Sequence, residues 1–258
     1  MALKVFVLGR PGSGKSTAFR HIKKYIEEQY LDWSSIRFND YDILREMFLF
    51  EKLFQTDMKL RKFRATEHGG FDVLDFSVLD TVLKELEKEV RHRYSPKRDE
   101  LIVIEFARDN YGKALQQFSS AFLKDAYFLF IETNMETCVQ RVHDRVAHPM
   151  TIDDHFVSDD ILTSYYSKHH LPSNLKIFGI DAERVKVIDN RGTYQNFTKK
   201  VNQFVNFIFE EKDCLLASEG LKRNSPKFHT RLFSFATRSK ARILSEIPLI
   251  RQVGTGSR

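Results

Sequence analysis

The sequence predicts an α/β protein built on a five-stranded parallel sheet flanked by helices. Two observations carry this expectation. Short stretches of strand type recur at Leu3–Leu8, Ser35–Asn39, Leu101–Glu105, Tyr127–Ile131 and Val185–Ile188. Between them, apolar residues return at helical spacing, and strands alternating with helices are the pattern of crossover connections.

The first strand, LKVFVL, ends at Gly9, and the nine residues from there spell Gly9-Arg10-Pro11-Gly12-Ser13-Gly14-Lys15-Ser16-Thr17. This fits G-x-x-x-x-G-K-[ST], the phosphate-binding loop. Glycines let backbone N–H groups turn inward around a polyphosphate. Lys15 is expected to reach the β- and γ-phosphates, and the Ser16 hydroxyl to ligate Mg²⁺. Phe19, Ile22 and Ile26 follow at helical spacing, so strand, loop and helix stand in the order the motif requires. The positive end of that helix adds to the anion site.

The second strand, SIRFN, leads into a helix predicted from about Asp42 to Phe54. A polar stretch ending in Gly69-Gly70 precedes an amphipathic helix with Leu79, Val82, Leu83, Leu86 and Val90 on one face. The third strand, LIVIE, closes on an acid, Glu105. The fourth is YFLFI, followed by a helix over Glu136–Val146. After the fifth strand, Phe197, Val201, Phe204, Val205, Ile208 and Phe209 mark a long helix, and the domain is expected to span 1–212.

Composition narrows the setting. The chain has 258 residues and 42% hydrophobic content, enough for one sizeable core. Cys138 and Cys214 give neither a disulfide framework nor paired metal spacing, which fits a reducing compartment. The N-terminus reads as a strand rather than a signal peptide, and no apolar run approaches spanning length, so a cytoplasmic protein is expected. The net charge of +6 belongs to the end of the chain. From Leu221 onward nine Lys/Arg face one acid, Glu246, and the remainder is slightly acidic. The charge therefore does not mark the body as a nucleic-acid binder. The extension 213–258 carries Phe228, Leu232 and Phe235 at i, i+4, i+7, with Arg231 and Arg238 nearby. It reads as a solvated tail, a docked helix, or a contact for a polyanion or membrane surface.

Three later segments complete a pattern. Asp40-Tyr41-Asp42-Ile43-Leu44-Arg45 ends the second strand, Glu105-Phe106-Ala107-Arg108 ends the third, and Arg141 and Arg145 share one helix face after the fourth. With the phosphate loop, their order resembles the P-loop kinases of small molecules, a family that includes adenylate kinase, gluconate kinase and the zeta toxins. The resemblance covers about residues 1–210 and implies a transferase that moves the ATP γ-phosphoryl group to a small acceptor with Mg²⁺.

It implies ATP contacts at residues 9–17 (Gly9, Arg10, Pro11, Gly12, Ser13, Gly14, Lys15, Ser16, Thr17) and at an adenine-packing loop, Asn190, Arg191 and Gly192. It implies acceptor contacts at Asp40, Asp42, Arg45 and Arg108. Lys15, Asp42, Glu105, Arg141 and Arg145 become the catalytic set, with Asp42 the base for a hydroxyl acceptor. Glu105 stands beside the metal or the acceptor, and a lid spans about 146–157, with Pro149 breaking the helix. No arginine occurs between Arg145 and Arg184, a departure from adenylate kinases that leaves room for acceptors other than a nucleoside monophosphate. His143, His148, His155, Asp153 and Asp154 read as solvated lid residues rather than a metal site. A nucleotide-dependent ATPase or regulator, and a polynucleotide 5′-kinase using the basic tail, are the alternatives.

Overall fold

The computed structural model describes residues 2–55, 57–93, 99–149, 154–168 and 175–218. The chain divides into two units, 1–211 and 212–258. Of the second, only 212–218 are described, as the end of a helix, so the basic extension beyond Ser218 lies outside the described residues.

The described chain folds as the expected α/β sheet. In chain order it comprises β1 (Ala2–Leu8), α1 (Lys15–Gln29), β2 (Ser34–Asn39), α2 (Asp40–Phe54), β3 (Phe63–Ala65), β4 (Phe71–Val73), α3 (Ser77–Arg93), β5 (Glu100–Phe106), α4 (Tyr111–Leu115), α5 (Ser120–Leu123), β6 (Ala126–Glu132), α6 (Met135–Ala147), α7 (Asp159–Ser164), β7 (Val185–Asp189) and α8 (Tyr194–Ser218). Five strands pair in parallel in the order β2-β5-β1-β6-β7. These are the five expected strands. Central strands such as LIVIE and YFLFI are apolar except for the closing Glu105 because helices cover both faces of the sheet.

Two cores result. On one face Phe6, Ile104 and Phe128 pack with Leu83, Leu86 and Val90 of α3 and with Leu115 and Phe122. On the other, Val5, Val103 and Leu129 pack against Ala18, Ile22 and Ile26 of α1 and Val201, Phe204 and Ile208 of α8. The helix after β1 and the helices after β5 thus lie on opposite faces. The carboxyl ends of β1 and β5 are adjacent strands whose loops diverge, which opens a crevice between them.

Two features differ from expectation. A small antiparallel hairpin, β3 with β4, is added beside α2, where Phe63 and Phe71 pack with Leu44, Phe48, Leu79 and Val82. And α2 begins at Asp40 rather than Asp42, because Asn39 is its N-cap and accepts from the Asp42 N–H at 2.9 Å. Among the described residues, no helix is long and apolar enough to cross a membrane.

Candidate active site

The crevice at the β1/β5 ends holds the phosphate loop. Gly12 has a φ of 77°, and a side chain there would meet the Cys138 carbonyl of α6. Gly14, at φ 109°, lies against the amide of Asn190, which donates to the Ser13 carbonyl at 2.8 Å. The loop is therefore wedged between two neighbours that only glycine admits.

Lys15 opens α1 and is buried, with Nζ donating to the Arg10 carbonyl at 2.9 Å. Burial lowers its pKa, and the nearby carboxylates of Glu105 and Asp40 partly offset this. Ser16 donates to Glu105 Oε1 at 3.2 Å, and Arg37 Nε donates to Glu105 Oε2 at 2.8 Å. Glu105 is buried at the end of β5, so the acid that closes an apolar strand is held by a hydroxyl and a guanidinium. Arg37 was not singled out by the sequence reasoning. Its signal was alternation in β2, where Ile36 and Phe38 face one core and a charged residue between them must face the other way.

A second ion pair lines the same crevice. Arg108 is buried, pairs with Asp40 at the start of α2, and donates to the Leu79 carbonyl at 2.9 Å. Burial works against its charge, and the Asp40 carboxylate together with Tyr166 and Tyr165 outweighs it, so its pKa is raised. Tyr165 and Tyr166 stand close by, and burial pushes both phenols well up, keeping them neutral.

These groups line one cavity of about 300 Å³. Its walls include Pro11, Gly12, Gly14, Lys15, Ser16 and Thr17 of the loop, then Glu105, Asp40, Arg108, Arg141 and Arg145. Arg141 and Arg145 project from α6 on one face, as their spacing predicted. Arg141 Nη2 donates to the Asn190 carbonyl at 3.0 Å, and its buried Nη1 has no partner among the described residues. Arg145 donates to the His155 carbonyl at 2.6 Å and 3.1 Å. α6 ends at Ala147, before Pro149, and the predicted lid lies partly outside the described residues, which resume at Asp154.

Asp42 and Arg45 are not brought to this cavity. Both are exposed, and Asp42 accepts from the Asn39 side chain at 2.9 Å in a reciprocal helix cap. With α2 starting at Asp40, a two-residue step turns Asp42 about 200° from it, and Tyr41 and Leu44 take the inward positions.

Arg10 and Arg191 line a second cavity, of about 350 Å³, with Glu132, Thr133, Asn134 and Asp189. Arg10 donates to the carbonyls of Tyr166 and Thr133, and Arg191 pairs with Asp189. Asn190 braces the phosphate loop, and Gly192 stands in the open turn before α8. His143 pairs with Asp159, and His155 stacks on Tyr41. His148 is exposed, and Asp153 lies outside the described residues. Among the described residues, no group of three or more His, Cys, Asp or Glu is placed to hold a metal.

No family model matches the chain, and no curated protein does. Among solved structures, it is similar to Kti12 of Chaetomium thermophilum in complex with ADP-AlF3, with a TM-score of 0.49 and 15% identity over 80% of this chain and 98% of that one. It is similar to a gluconokinase from Sinorhizobium meliloti, with a TM-score of 0.47 and 13% identity over 84% and 97%. It is also similar to the APS kinase CysC of Mycobacterium tuberculosis in complex with AMPPNP and APS, with a TM-score of 0.46 and 14% identity over 80% and 98%.

Proposed function

We propose that the chain is an ATP-dependent phosphotransferase acting on a small acceptor. The observation that carries this reading is the union of two halves in one cavity. Lys15 and Ser16 of the phosphate loop and the Asp40–Arg108 pair line it together. A site that only hydrolysed a nucleotide has no use for that pair.

The residues present suit a nucleoside triphosphate. The glycine cradle excludes side chains, Lys15 is a buried cation, and Arg141 Nη1 is a buried donor that a phosphate oxygen can satisfy. Mg²⁺ takes hard oxygen ligands, and the Ser16 hydroxyl with the Glu105 carboxylate beside it would hold the ion. When bound, the metal neutralises charge on the β- and γ-phosphate oxygens.

The chain's own residues then divide the work. Lys15 and the loop amides hold the phosphates in line, while Arg141 and Arg145 face the transferring group. Phosphoryl transfer is mostly positioning and charge stabilisation, so these cations supply most of the rate. Arg37 holds Glu105 in place. Asp40 replaces Asp42 as the carboxylate that meets the acceptor hydroxyl, with Arg108 fixing its orientation. Arg10, Asp189 and Arg191 border the nucleoside end of the donor site.

The test is transfer of label from γ-labelled ATP into small molecules. Product that carries the label, lost on Lys15→Met, supports the reading. A nucleotide-driven regulator predicts ADP and free phosphate instead, and a polynucleotide kinase predicts label on oligonucleotide 5′ ends.

A further inference from the structure

Helix α2 is apolar on two sides, and only one of them is covered. Leu44 and Phe48 face the core, packed with Phe63, Phe71, Leu79 and Val82. Phe50, Leu53 and Phe54 lie on the other side and are 66%, 75% and 68% exposed. The rings of Phe50 and Phe54 lean together, with centroids 4.7 Å apart. Leu60, also exposed, joins them where the chain folds back along α2, and with Met47 and Phe63 they line a groove of about 580 Å³. That fold-back is fixed, because the two oxygens of Glu51 accept the N–H groups of Lys62 and Phe63 at 2.8 Å and 3.0 Å. Leu49 and Met58, from the same stretch, are open as well.

Six large apolar side chains this open amount to on the order of 600 Å², against about 800 Å² per partner in a stable protein complex. An exposed apolar patch of this size marks a contact with another macromolecule. The charges around it select which one. Glu46, Glu51 and Asp57 stand among Lys52, Lys59, Arg61 and Lys62, so neither sign dominates. A strongly acidic or basic partner finds no matching field here, whereas a second copy brings both signs. Two α2 helices set antiparallel, with a two-fold axis at Phe50 and Phe54, make the patch self-complementary. At 1.5 Å per residue, Glu46 lies about 9 Å to one side of that axis. The turn that carries Lys59 and Arg61 lies to the other side, past the end of α2. The two-fold therefore sets Glu46 of each copy against the cationic turn of the other. Asp57 in that turn already accepts from the Lys59 N–H at 2.9 Å. Lys52 is turned about 200° from Phe50, so like charges do not meet at the axis.

We infer that the protein is a homodimer joined through this face of α2. Phe50, Leu53 and Phe54 form the centre of the contact, and Glu46 meets Lys59 and Arg61 at its rim. The dimer does not depend on which reaction the cavity runs. It does brace the helix whose first residue, Asp40, pairs with Arg108.

Sedimentation equilibrium of the full chain, from about 0.1 to 100 μM, should give the mass of two chains at the upper concentrations. Phe50→Glu and, separately, Leu53→Lys place a charge at the centre of the contact. Each should raise the dimer Kd at least about thirtyfold, the scale of a lost hot spot. Both side chains are mostly exposed, so the circular dichroism spectrum should stay that of the native chain. Glu46→Lys should raise the Kd about fivefold, and adding Lys59→Glu with Arg61→Glu should restore it. A monomer over the whole range overturns the inference, whatever else then covers the patch, residues 221–258 included. A dimer that survives both Phe50→Glu and Leu53→Lys is joined elsewhere and overturns it equally. Failure of the second charge reversal to rescue the first would overturn the antiparallel pairing.

Discussion

Replacing Arg108 with methionine should destabilise the protein far more than losing one surface charge would. Arg108 is 3% exposed and bonds Asp40, the Leu79 carbonyl and the Ala107 carbonyl, and Asp40 is itself 9% exposed. Methionine fills much of the volume but leaves the Asp40 carboxylate buried without its cation. Removing one partner of such a pair costs about 3–5 kcal/mol. Each kcal/mol moves the melting temperature of a domain this size by about 2–4 °C, so a fall of at least ~6 °C is expected. Urea denaturation and thermal melts read the change. Asp40→Asn combined with Arg108→Met should recover most of the stability, since neither charge is then stranded. It should recover none of the transfer activity. A single-variant loss below about 1 kcal/mol, the range of exposed pairs, would refute the buried pair and the acceptor site built on it.

Three further outcomes are expected. Lys15→Met should lower kcat by about a hundredfold or more, the scale for removing one preorganised transition-state donor, while the apo protein melts no lower than the native chain. The pH dependence follows with its sign: burial holds the folded Lys15 pKa below its ordinary 10.5, so the unfolded chain binds more protons between the two values. Apo stability should therefore rise with pH across the window that ends near 10.5, and Lys15→Met should flatten that slope in alkaline melts. Asp40→Asn should lower kcat by about a hundredfold, within the range for a general base. Asp42→Ala should cost about 0.5–1 kcal/mol by removing the first-turn carboxylate that accepts from Asn39 Nδ2, with kcat nearly unchanged, and comparison of the two pH–rate profiles checks the assignment. Gly12→Ala should cost at least about 1 kcal/mol in melts from the left-handed φ of 77° alone, and more from the Cys138 carbonyl.

The sheet was legible because its central strands are apolar runs too short for a helix and bounded by polar or glycine residues. LIVIE, up to its closing Glu105, and YFLFI have no polar face, and strands covered on both sides read that way. The hairpin at Phe63–Ala65 and Phe71–Val73 was not legible, since three-residue strands offer no periodicity and its turn sits inside a polar stretch. Lys15, Ser16, Glu105, Arg108, Arg141 and Arg145 were read from their places after strands, and the structure gathers them on one cavity. Asp42 and Arg45 illustrate the limit of that approach. Starting α2 at Asp40 makes Asp40 the acid that meets Arg108 and leaves Asp42 about 200° around the helix from it. Asn39 decides the matter by capping, and its role is visible only once the Asp42 N–H is seen to bond it. The rings that line the cavity were hidden for another reason. Tyr41, Phe71, Phe76, His155 and Tyr165 come from three stretches of the chain, at 41, 71–76 and 155–165, and each alone reads as packing.

Transfer and hydrolysis leave different products. Full-length protein should be incubated with Mg²⁺, γ-labelled ATP and a mixture of small alcohols, with ADP and labelled organic product both quantified by chromatography. One labelled phosphomonoester formed for each ADP is the predicted result. ADP accumulating with all label in inorganic phosphate would contradict the central claim.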